Sequence, residues 1–306
     1  MLDRMRQNAL GRSGLTVSAV GLGCNNFGRR LDLAGTRAVI DAALDAGITH
    51  LDTADIYGGD GTSERLIGEV LEGRRDRVVL ATKFGMKLSD DDGTPRGSRA
   101  YARRSVEASL ARLRTDRIDL YYYHEPDGVT PLAETIGALG ELADEGKIRA
   151  FAVSNVDAAQ LREAAELGGD RLAAVQNEYS LLERAAEADV LPLARELGVG
   201  FVPYFPLASG LLSGKFRRGE APPAGTRMAA RPERLTDRTF DRIEALEGFA
   251  AERRHTLLEL AFAGLVSQPG VASVIAGAMN PEQVARNASA ADWELGADDL
   301  AAIPAA

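Results

Sequence analysis

The sequence contains a single cysteine, Cys24, in 306 residues. One thiol excludes an internal disulfide framework and a Cys-rich zinc site, and we expect no metal in this protein. Long apolar runs are also missing, since no stretch approaches the roughly 20 uncharged apolar residues that a membrane span requires. The opening residues MLDRMRQNALGRSG lack the apolar segment of a signal peptide. We therefore expect a cytoplasmic protein with no membrane partner.

Positive charge is scarce as well. The chain has 36 Lys and Arg residues against 45 Asp and Glu residues, a formal net charge of -9. Nucleic acid binding needs a basic face that matches the phosphates, so this balance argues against a nucleic acid partner. Apolar residues, in contrast, make up 45% of the chain, enough for a large core. We expect one domain over residues 1–306, because single α/β barrels reach this length.

Short apolar runs alternate with longer helical patterns along the chain, which is typical of βα units around a parallel sheet. The runs begin near Ala19, Ile48, Val78, Ile118, Ile148, Leu172, Val199 and Val271. Between them, segments 34–46 and 98–113 keep apolar residues on one helical stripe. Gly47, Gly146 and Gly198 stand where a helix gives way to the next strand, the usual position of a left-handed helix stop.

Eight strands with helices between them predict a closed (β/α)8 TIM barrel, with a doubly wound open sheet as the competing architecture. Barrels place their chemistry at the C-terminal ends of many strands, whereas open sheets bind ligands mainly at one switch point. Here polar residues follow strand after strand, so we favour the barrel. The opening NALGRSGLTVS predicts a β-hairpin that precedes the barrel and closes its bottom.

The connection between the seventh and eighth strands is much longer than the others, and its first part, residues 206–238, is rich in Gly, Pro and Arg. From residue 214 to 238, seven basic residues stand against three acidic ones. They are Lys215, Arg217, Arg218, Arg227, Arg231, Arg234 and Arg238 against Glu220, Glu233 and Asp237. Long irregular loops are often lids over a site. We expect this loop either to meet a bound anion or to be a solvated surface loop.

Three short strings, LDTADIYG, ATKFG and LYYYHEP, place polar residues after successive buried strands: Asp52 with Tyr57, then Lys83, then His124. A free tyrosine has a pKa of roughly 10, but a nearby ammonium favours the phenolate, and a carboxylate keeps that ammonium charged and in place. Asp52 and Lys83 would therefore make Tyr57 a usable proton donor to a substrate oxygen. His124 would hydrogen-bond that oxygen and orient it. No side chain delivers hydride, so a cofactor is implied.

These motifs, in this order and at these separations, resemble the aldo-keto reductases over nearly the whole chain, from the N-terminal hairpin to Asn287. The resemblance implies that Tyr57 is the general acid in reduction, assisted by Lys83 and Asp52, and that His124 steers the carbonyl. It also implies the activity, which is reduction of a small-molecule aldehyde or ketone with NADP(H), NAD(H) being the alternative cofactor.

The resemblance also assigns the cofactor residues. Ser154, Asn155 and Gln176 match positions that hydrogen-bond the nicotinamide carboxamide in the family. Tyr204 matches the aromatic residue that stacks on the nicotinamide ring. The segment along the pyrophosphate is matched by Leu207, Ser209, Gly210 and Lys215. The adenosine end is matched by Gly277, Ala278, Gln283 and Asn287. The residues expected at the substrate mouth are Asn25, Asn26 and Phe27.

One departure from the family pattern concerns the choice between NADP and NAD. The family often has a basic or hydroxyl residue, in contact with the 2′-phosphate, at one of the two positions that Met279 and Asn280 occupy here. Without that residue, Arg286 or an arginine of the long loop would have to bind the phosphate. Despite this departure, we expect NADP(H).

Two other classes of function fit parts of the pattern. In a class I aldolase, Lys83 would form a Schiff base, which needs an uncharged amine, whereas Asp52 would keep this amine charged. In a nicotinamide-nucleotide-sensing subunit, the same barrel would bind the nucleotide with little or no catalysis. A turnover assay with a generic aldehyde and NADPH separates such a sensor from an enzyme.

Overall fold

The computed structural model describes residues 5–89 and 91–304. Its strands are β1 (Gln7–Ala9), β2 (Thr16–Ser18), β3 (Val20–Gly23), β4 (His50–Asp52), β5 (Val79–Phe84), β6 (Ile118–Tyr123), β7 (Ile148–Ser154), β8 (Leu172–Gln176), β9 (Gly200–Phe201) and β10 (Val274–Gly277). Its helices are α1 (Leu33–Asp45), α2 (Thr62–Val70), α3 (Arg99–Leu113), α4 (Leu132–Asp144), α5 (Ala158–Gly168), α6 (Val190–Leu197), α7 (Asp237–Glu252), α8 (Leu257–Val266), α9 (Pro281–Ser289) and α10 (Ala297–Ala302). None of these described helices is long and apolar enough to cross a membrane.

Strands β3 to β10 form one parallel sheet in the order β10-β3-β4-β5-β6-β7-β8-β9. The two ends of this order meet, because a parallel bridge pairs Phe201 with Val271. The Ile275 amide also donates to the Pro203 carbonyl at 3.0 Å. The sheet is therefore the closed (β/α)8 barrel that the sequence predicted, and the doubly wound open sheet is excluded. Every residue of β6 and β8 is buried, as expected for strands covered on both faces.

The predicted N-terminal hairpin is confirmed. Strands β1 and β2 pair antiparallel, with Asn8 opposite Val17. The Asn8 side chain donates to the Ala272 carbonyl at 2.9 Å, just ahead of β10. Leu10 and Val17 are fully buried against the barrel interior. The hairpin therefore closes the N-terminal end of the barrel and leaves the C-terminal end of the strands open.

Local sequence sets the helix boundaries. The Ser98 side chain caps α3 by accepting a hydrogen bond from the Tyr101 amide at 3.3 Å. The three predicted helix stops, Gly47, Gly146 and Gly198, have φ angles of 79°, 74° and 69°. Glycine adopts this left-handed conformation without the strain that a Cβ atom introduces. Each helix therefore ends where the next buried strand must begin.

The long connection between β9 and β10 contains α7 and α8, and its first part, residues 206–238, has only short 3-10 turns before α7 begins. Arg218 lies on the outside of this loop and pairs with Asp237, Asp241 and Glu244 at 3.1, 2.6 and 2.9 Å. Met228, in contrast, is fully buried in the hydrophobic core. The loop is therefore fixed to the barrel by its own apolar side chain, with some of its basic residues facing solvent.

Candidate active site

Two of the four predicted catalytic side chains form a buried ion pair at the C-terminal end of the barrel. Asp52 is the last residue of β4, and Lys83 lies near the end of the adjacent strand β5. Lys83 Nζ donates to Asp52 Oδ2 at 2.5 Å and to the Thr53 carbonyl at 2.9 Å. Lys83 is 0% exposed and Asp52 2%. Because a buried charge is stable only when it is paired, each residue stabilises the charged form of the other.

Tyr57 and His124 complete the cluster. Lys83 Nζ lies 5.3 Å from the centroid of the Tyr57 ring. The Tyr57 and His124 rings meet edge to face, with their centroids 6.0 Å apart. Tyr57 comes from the loop after β4, and His124 follows β6 directly, its amide bonded to the Phe84 carbonyl at 2.8 Å. The structure thus brings together the four side chains that the sequence singled out.

The charges in this cluster act on one another. Burial disfavours the Lys83 ammonium, but the neighbouring Asp52 carboxylate outweighs this effect and raises the pKa of Lys83 above its usual value. Burial also raises the pKa of Tyr57, although the Lys83 ammonium opposes this rise. At neutral pH the phenol is therefore protonated and lies beside a cation that would stabilise its phenolate.

His124 is neutral at physiological pH. Burial, to which the Lys83 charge adds, lowers the pKa of His124 to about 3. Its Nδ1 is buried and has no hydrogen-bond partner among the described residues. Since a neutral imidazole has one donor and one acceptor nitrogen, His124 is able to hydrogen-bond a substrate oxygen without adding charge to the site.

Gln176 connects the ion pair to the neighbouring strands. Its Nε2 donates to Asp52 Oδ1 at 3.0 Å, so both carboxylate oxygens of Asp52 have partners. Its backbone carbonyl accepts a hydrogen bond from Ser154 Oγ at 2.7 Å. Gln176 therefore lies between the Asp52 carboxylate and Ser154, the last residue of β7. The sequence did not indicate this bond to Asp52, because strands β4 and β8 are not adjacent in the sheet.

Asn155, directly after β7, is engaged by the protein at both ends of its side-chain amide. Its Nδ2 donates to the His124 carbonyl at 3.0 Å, and its Oδ1 accepts from the Tyr204 hydroxyl at 2.8 Å. Its φ of 56° is uncommon for a residue other than glycine. Asn155 therefore fixes the Tyr204 ring relative to His124.

The turn after β9 has a strained backbone. Phe205, Ala208, Ser209 and Gly210 all have positive φ angles, between 45° and 101°. Such conformations are costly for residues other than glycine and concentrate where a loop contacts a ligand. Lys215 lies against this turn, since a Cβ atom added at Gly210 would be 3.4 Å from its Nζ. The segment predicted to follow the pyrophosphate is thus an ordered turn with an ammonium beside it.

The predicted adenosine end lies where α9 begins. Asn280 caps α9 by accepting from the Gln283 amide at 2.9 Å, and Gln283 Oε1 accepts from the Met279 amide at 2.8 Å. Burial and the charge of Arg286 on α9 both lower the pKa of Lys215. Within the described ranges, neither cation has an ion-pair partner. Neighbouring cations without carboxylates fit an anionic group such as the phosphates of a dinucleotide.

The three residues expected at the substrate mouth differ in their surroundings. Asn25 is partly exposed, and its Oδ1 accepts from Arg227 Nη2 at 3.4 Å. Asn26 is 7% exposed and donates to the Ala278 carbonyl at 3.4 Å. Phe27 is 0% exposed and belongs to the hydrophobic core. Asn25 is therefore the member of the set that presents a polar group at the mouth, while Phe27 packs beneath the loop.

Asp55, in the same LDTADIYG string, is a buried acid that sequence reasoning did not single out. It is 1% exposed, and neither carboxyl oxygen has a hydrogen-bond partner among the described residues. Burial and the nearby Glu64 carboxylate raise the pKa of Asp55 to about 8, against the opposing charge of Arg112. Glu64 is itself paired with Arg112 at 2.6 Å. Asp55, Glu64 and Arg112 thus form a second group of interacting charged side chains, and the Asp55 amide donates to the Lys83 carbonyl at 3.1 Å.

Replacing Asp55 by asparagine is expected to change how stability depends on pH. With the pKa of Asp55 raised in the folded state, the folded chain keeps a proton that the unfolded chain releases. Its contribution to stability therefore falls as the pH rises toward about 8, by about 1.4 kcal/mol per pH unit. Urea unfolding at about pH 6 and 7 should show this fall in the wild type and not in Asp55→Asn. Asp76→Asn, at an exposed surface ion pair, is the control and should retain the fall.

The sequence and the fold both match known proteins. The model of the Aldo/keto reductase family matches residues 19–306. A protein of Oryza sativa subsp. japonica named "Probable voltage-gated potassium channel subunit beta" is 35% identical, with 94% of this chain and 92% of the relative covered. The solved structure of aldo-keto reductase AKR11C1 from Bacillus halodurans, in its holo form, matches with a TM-score of 0.83 at 34% identity. That match covers 98% of this chain and 95% of the other.

Proposed function

This chain belongs to the aldo/keto reductase family, and on that basis we propose that it is an NADP(H)-dependent reductase of aldehydes and ketones. The family and the fold support an oxidoreductase. The observation that supports the proposed reaction is the buried Lys83–Asp52 pair beside the Tyr57 ring. A paired ammonium next to a protonated phenol is the arrangement that makes a tyrosine a usable acid.

In the proposed reaction, Tyr57 donates its proton to the carbonyl oxygen as the carbon is reduced. Lys83 stabilises the phenolate that remains, and Asp52 keeps the Lys83 ammonium charged and in place. The neutral imidazole of His124 hydrogen-bonds the same oxygen and orients the carbonyl. When bound, NADP(H) supplies the hydride that no side chain provides.

The remaining predicted residues would bind the cofactor. The nicotinamide side would contact Ser154, Asn155, Gln176 and Tyr204. The pyrophosphate would lie along Leu207, Ser209, Gly210 and Lys215, and the adenosine end along Gly277, Ala278, Gln283, Arg286 and Asn287. Both ends of the Asn155 side-chain amide already have protein partners. We therefore propose that Asn155 has two roles, which are to contact the carboxamide and to position Tyr204.

The assay that tests this proposal combines the purified chain, NADPH and a panel of neutral and charged aldehydes. We expect NADPH consumption that depends on the aldehyde and yields one alcohol for each NADPH consumed. Tight NADPH binding without any alcohol from the whole panel would contradict the proposed activity. The same panel with NADH measures the preference between the two cofactors.

Arg286→Ala is expected to weaken NADPH binding more than NADH binding. The Arg286 guanidinium has no carboxylate partner in the described ranges and lies on the helix of the predicted adenosine end. Loss of a charge-assisted bond to the 2′-phosphate should raise the Kd for NADPH roughly 10-fold or more. Fluorescence titration of both nucleotides measures the effect, with Arg162→Ala on α5 as a surface control. Equal weakening of both nucleotides would remove Arg286 from this role.

The alternative of a nucleotide-sensing subunit is supported by the similarity to the rice protein, which is named as a channel subunit. In that case the barrel would bind NADP(H) with little turnover, which the aldehyde panel detects directly. The aldolase alternative is not supported by the geometry. A Schiff base requires a neutral amine, whereas Asp52 lies 2.5 Å from Lys83 Nζ and raises the pKa of Lys83.

A further inference from the structure

Three consecutive tyrosines, Tyr121, Tyr122 and Tyr123, end strand β6 directly before His124. Successive side chains of a strand point to opposite faces of the sheet, so the middle tyrosine differs from its two neighbours. The rings of Tyr121 and Tyr123 stack on Phe84, with centroids 4.9 and 5.4 Å from that of Phe84. Tyr122 packs instead among the apolar side chains of the barrel interior. Tyr122 is therefore the one of the three that shares the interior with the ion pair.

The Lys83 ammonium lies over the ring of Tyr122. The two residues are directly opposite each other on the adjacent strands β5 and β6, and both are fully buried. Lys83 Nζ is 5.5 Å from the centroid of the Tyr122 ring and 5.3 Å from that of the Tyr57 ring. A cation within about 6 Å of a ring centroid is attracted to the face of the ring, and more strongly when the cation is desolvated. Burial thus makes the Tyr122 ring a favourable neighbour for this ammonium.

The hydrogen bonds of Lys83 hold its ammonium from one side of the strand. The ammonium donates to Asp52, the last residue of β4, and to the carbonyl of Thr53, which follows it. Both acceptors therefore come from the β4 side of Lys83, while the lysine stem is a flexible chain of four carbons. Strand β5 lies between β4 and β6 in the sheet. Tyr122 therefore contacts the ammonium from the side opposite to its hydrogen-bond acceptors.

Tyr122 is not suited to be a second proton donor. Burial and the Asp52 carboxylate raise the pKa of Tyr122 well above its usual value, although a weaker interaction with Gln176 opposes this rise. The Tyr122 hydroxyl makes no hydrogen bond of ordinary geometry among residues 5–89 and 91–304. The ring, rather than the hydroxyl, is therefore the part of Tyr122 that acts on Lys83.

Resting on the proposed reductase function, we propose that Tyr122 is a positioning residue, whose ring holds the Lys83 ammonium beside Tyr57 through a cation–π contact. Asp52 keeps the ammonium charged, and Tyr122 restricts where it lies at the end of the flexible lysine stem. Tyr122 is part of a strand, whereas Tyr57 lies on a loop, so the rigid element sets the place of the cation. The phenolate that forms at Tyr57 then meets a charge that is already in position.

A series of fluorinated phenylalanines at position 122 tests this proposal. Fluorine withdraws electrons from the face of the ring and weakens its attraction for a cation, with little change in ring size. Tyr122→Phe keeps the ring and should retain kcat within about threefold. With 4-fluoro-, 3,5-difluoro- and 3,4,5-trifluorophenylalanine in turn, we expect kcat to fall stepwise, roughly 10-fold in all, while the Kd for NADPH changes by less than about twofold. A kcat that stays constant along the series would overturn the proposal, as would loss of turnover in Tyr122→Phe itself.

The same series at position 121 is the matched control. Tyr121 precedes Tyr122 on β6 and is equally buried, but its ring stacks on Phe84 and belongs to the other hydrophobic cluster. We expect kcat to stay constant along the series at this position. A fall of the same size at both positions would show that fluorination acts through core packing, and the proposal would then be wrong.

Unfolding measurements test the contact without any turnover. From phenylalanine to trifluorophenylalanine at position 122, the equilibrium constant for unfolding should rise roughly 10- to 30-fold when Lys83 is present, because its desolvated ammonium loses the ring. In the Asp52→Asn/Lys83→Met background, which has no ammonium, the series should have no effect. An equal rise in both backgrounds would contradict the cation–π contact. A rise only with Lys83 present, but with no aldehyde reduced, would support the contact and refute the reductase activity instead.

Discussion

Replacing Tyr57 by phenylalanine is expected to lower kcat by about 10² to 10⁴-fold, the range that a positioned general acid contributes. The substitution removes one hydroxyl from a ring that packs against His124 and lies beside Lys83. The ring and its contacts remain, so the Kd for NADPH should change by less than about twofold. Single-turnover reduction of an aldehyde and fluorescence titration of NADPH measure the two quantities separately.

A matched control for this variant is Tyr101→Phe, which removes a hydroxyl from a buried tyrosine on α3, outside the catalytic cluster. We expect its kcat to stay close to that of the wild type. If Tyr57→Phe retained a wild-type kcat for the chemical step, Tyr57 would not be the acid. A loss of NADPH affinity as large as the loss of kcat would instead make Tyr57 part of the cofactor site.

Replacing Lys83 by methionine is expected to abolish turnover and to destabilise the fold. Lys83 Nζ donates to both Asp52 and the Thr53 carbonyl, and Lys83 is 0% exposed. Without the ammonium, Asp52 is a buried carboxylate without its counterion. Breaking such a pair costs about 3–5 kcal/mol of unfolding free energy. Chemical denaturation of the variant and the wild type at neutral pH measures this loss.

The double variant Asp52→Asn/Lys83→Met separates stability from catalysis. Removing the orphaned carboxylate should restore most of the unfolding free energy, because an uncharged amide takes the place of the unpaired charge. Turnover should not return, since no ammonium is left to stabilise a phenolate at Tyr57. Recovery of activity together with stability would show that the pair only supports the fold.

The barrel and the convergence of the four polar side chains could be predicted from the sequence for a shared reason. Buried parallel strands appear as apolar runs, and a residue that follows such a run lies at the C-terminal end of the sheet. Asp52, Lys83 and His124 each occupy such a position, on strands β4, β5 and the end of β6. Since these strands are adjacent in the sheet, their convergence follows from chain order alone.

Contacts between distant parts of the chain were not readable in this way. The bond from Gln176 to Asp52 joins strands that are not neighbours, and it depends on the closed shape of the barrel. The position of Arg227 depends on burial of Met228 in the core, which a Gly- and Pro-rich loop sequence does not reveal. The burial of Asp55 could not be predicted either, because nothing in the local sequence distinguishes a buried carboxyl from an exposed one.

The most direct test of the account follows one hydrogen atom. An aldehyde is reduced with NADPH that has deuterium at the transferable position of its nicotinamide ring, and the alcohol is examined by NMR. We predict that the alcohol formed by the wild type has one deuterium on its carbinol carbon. In the same time, Tyr57→Phe should form almost no labelled alcohol. Bound NADPH with no labelled alcohol, or an aldehyde trapped on Lys83 by borohydride, would contradict the account.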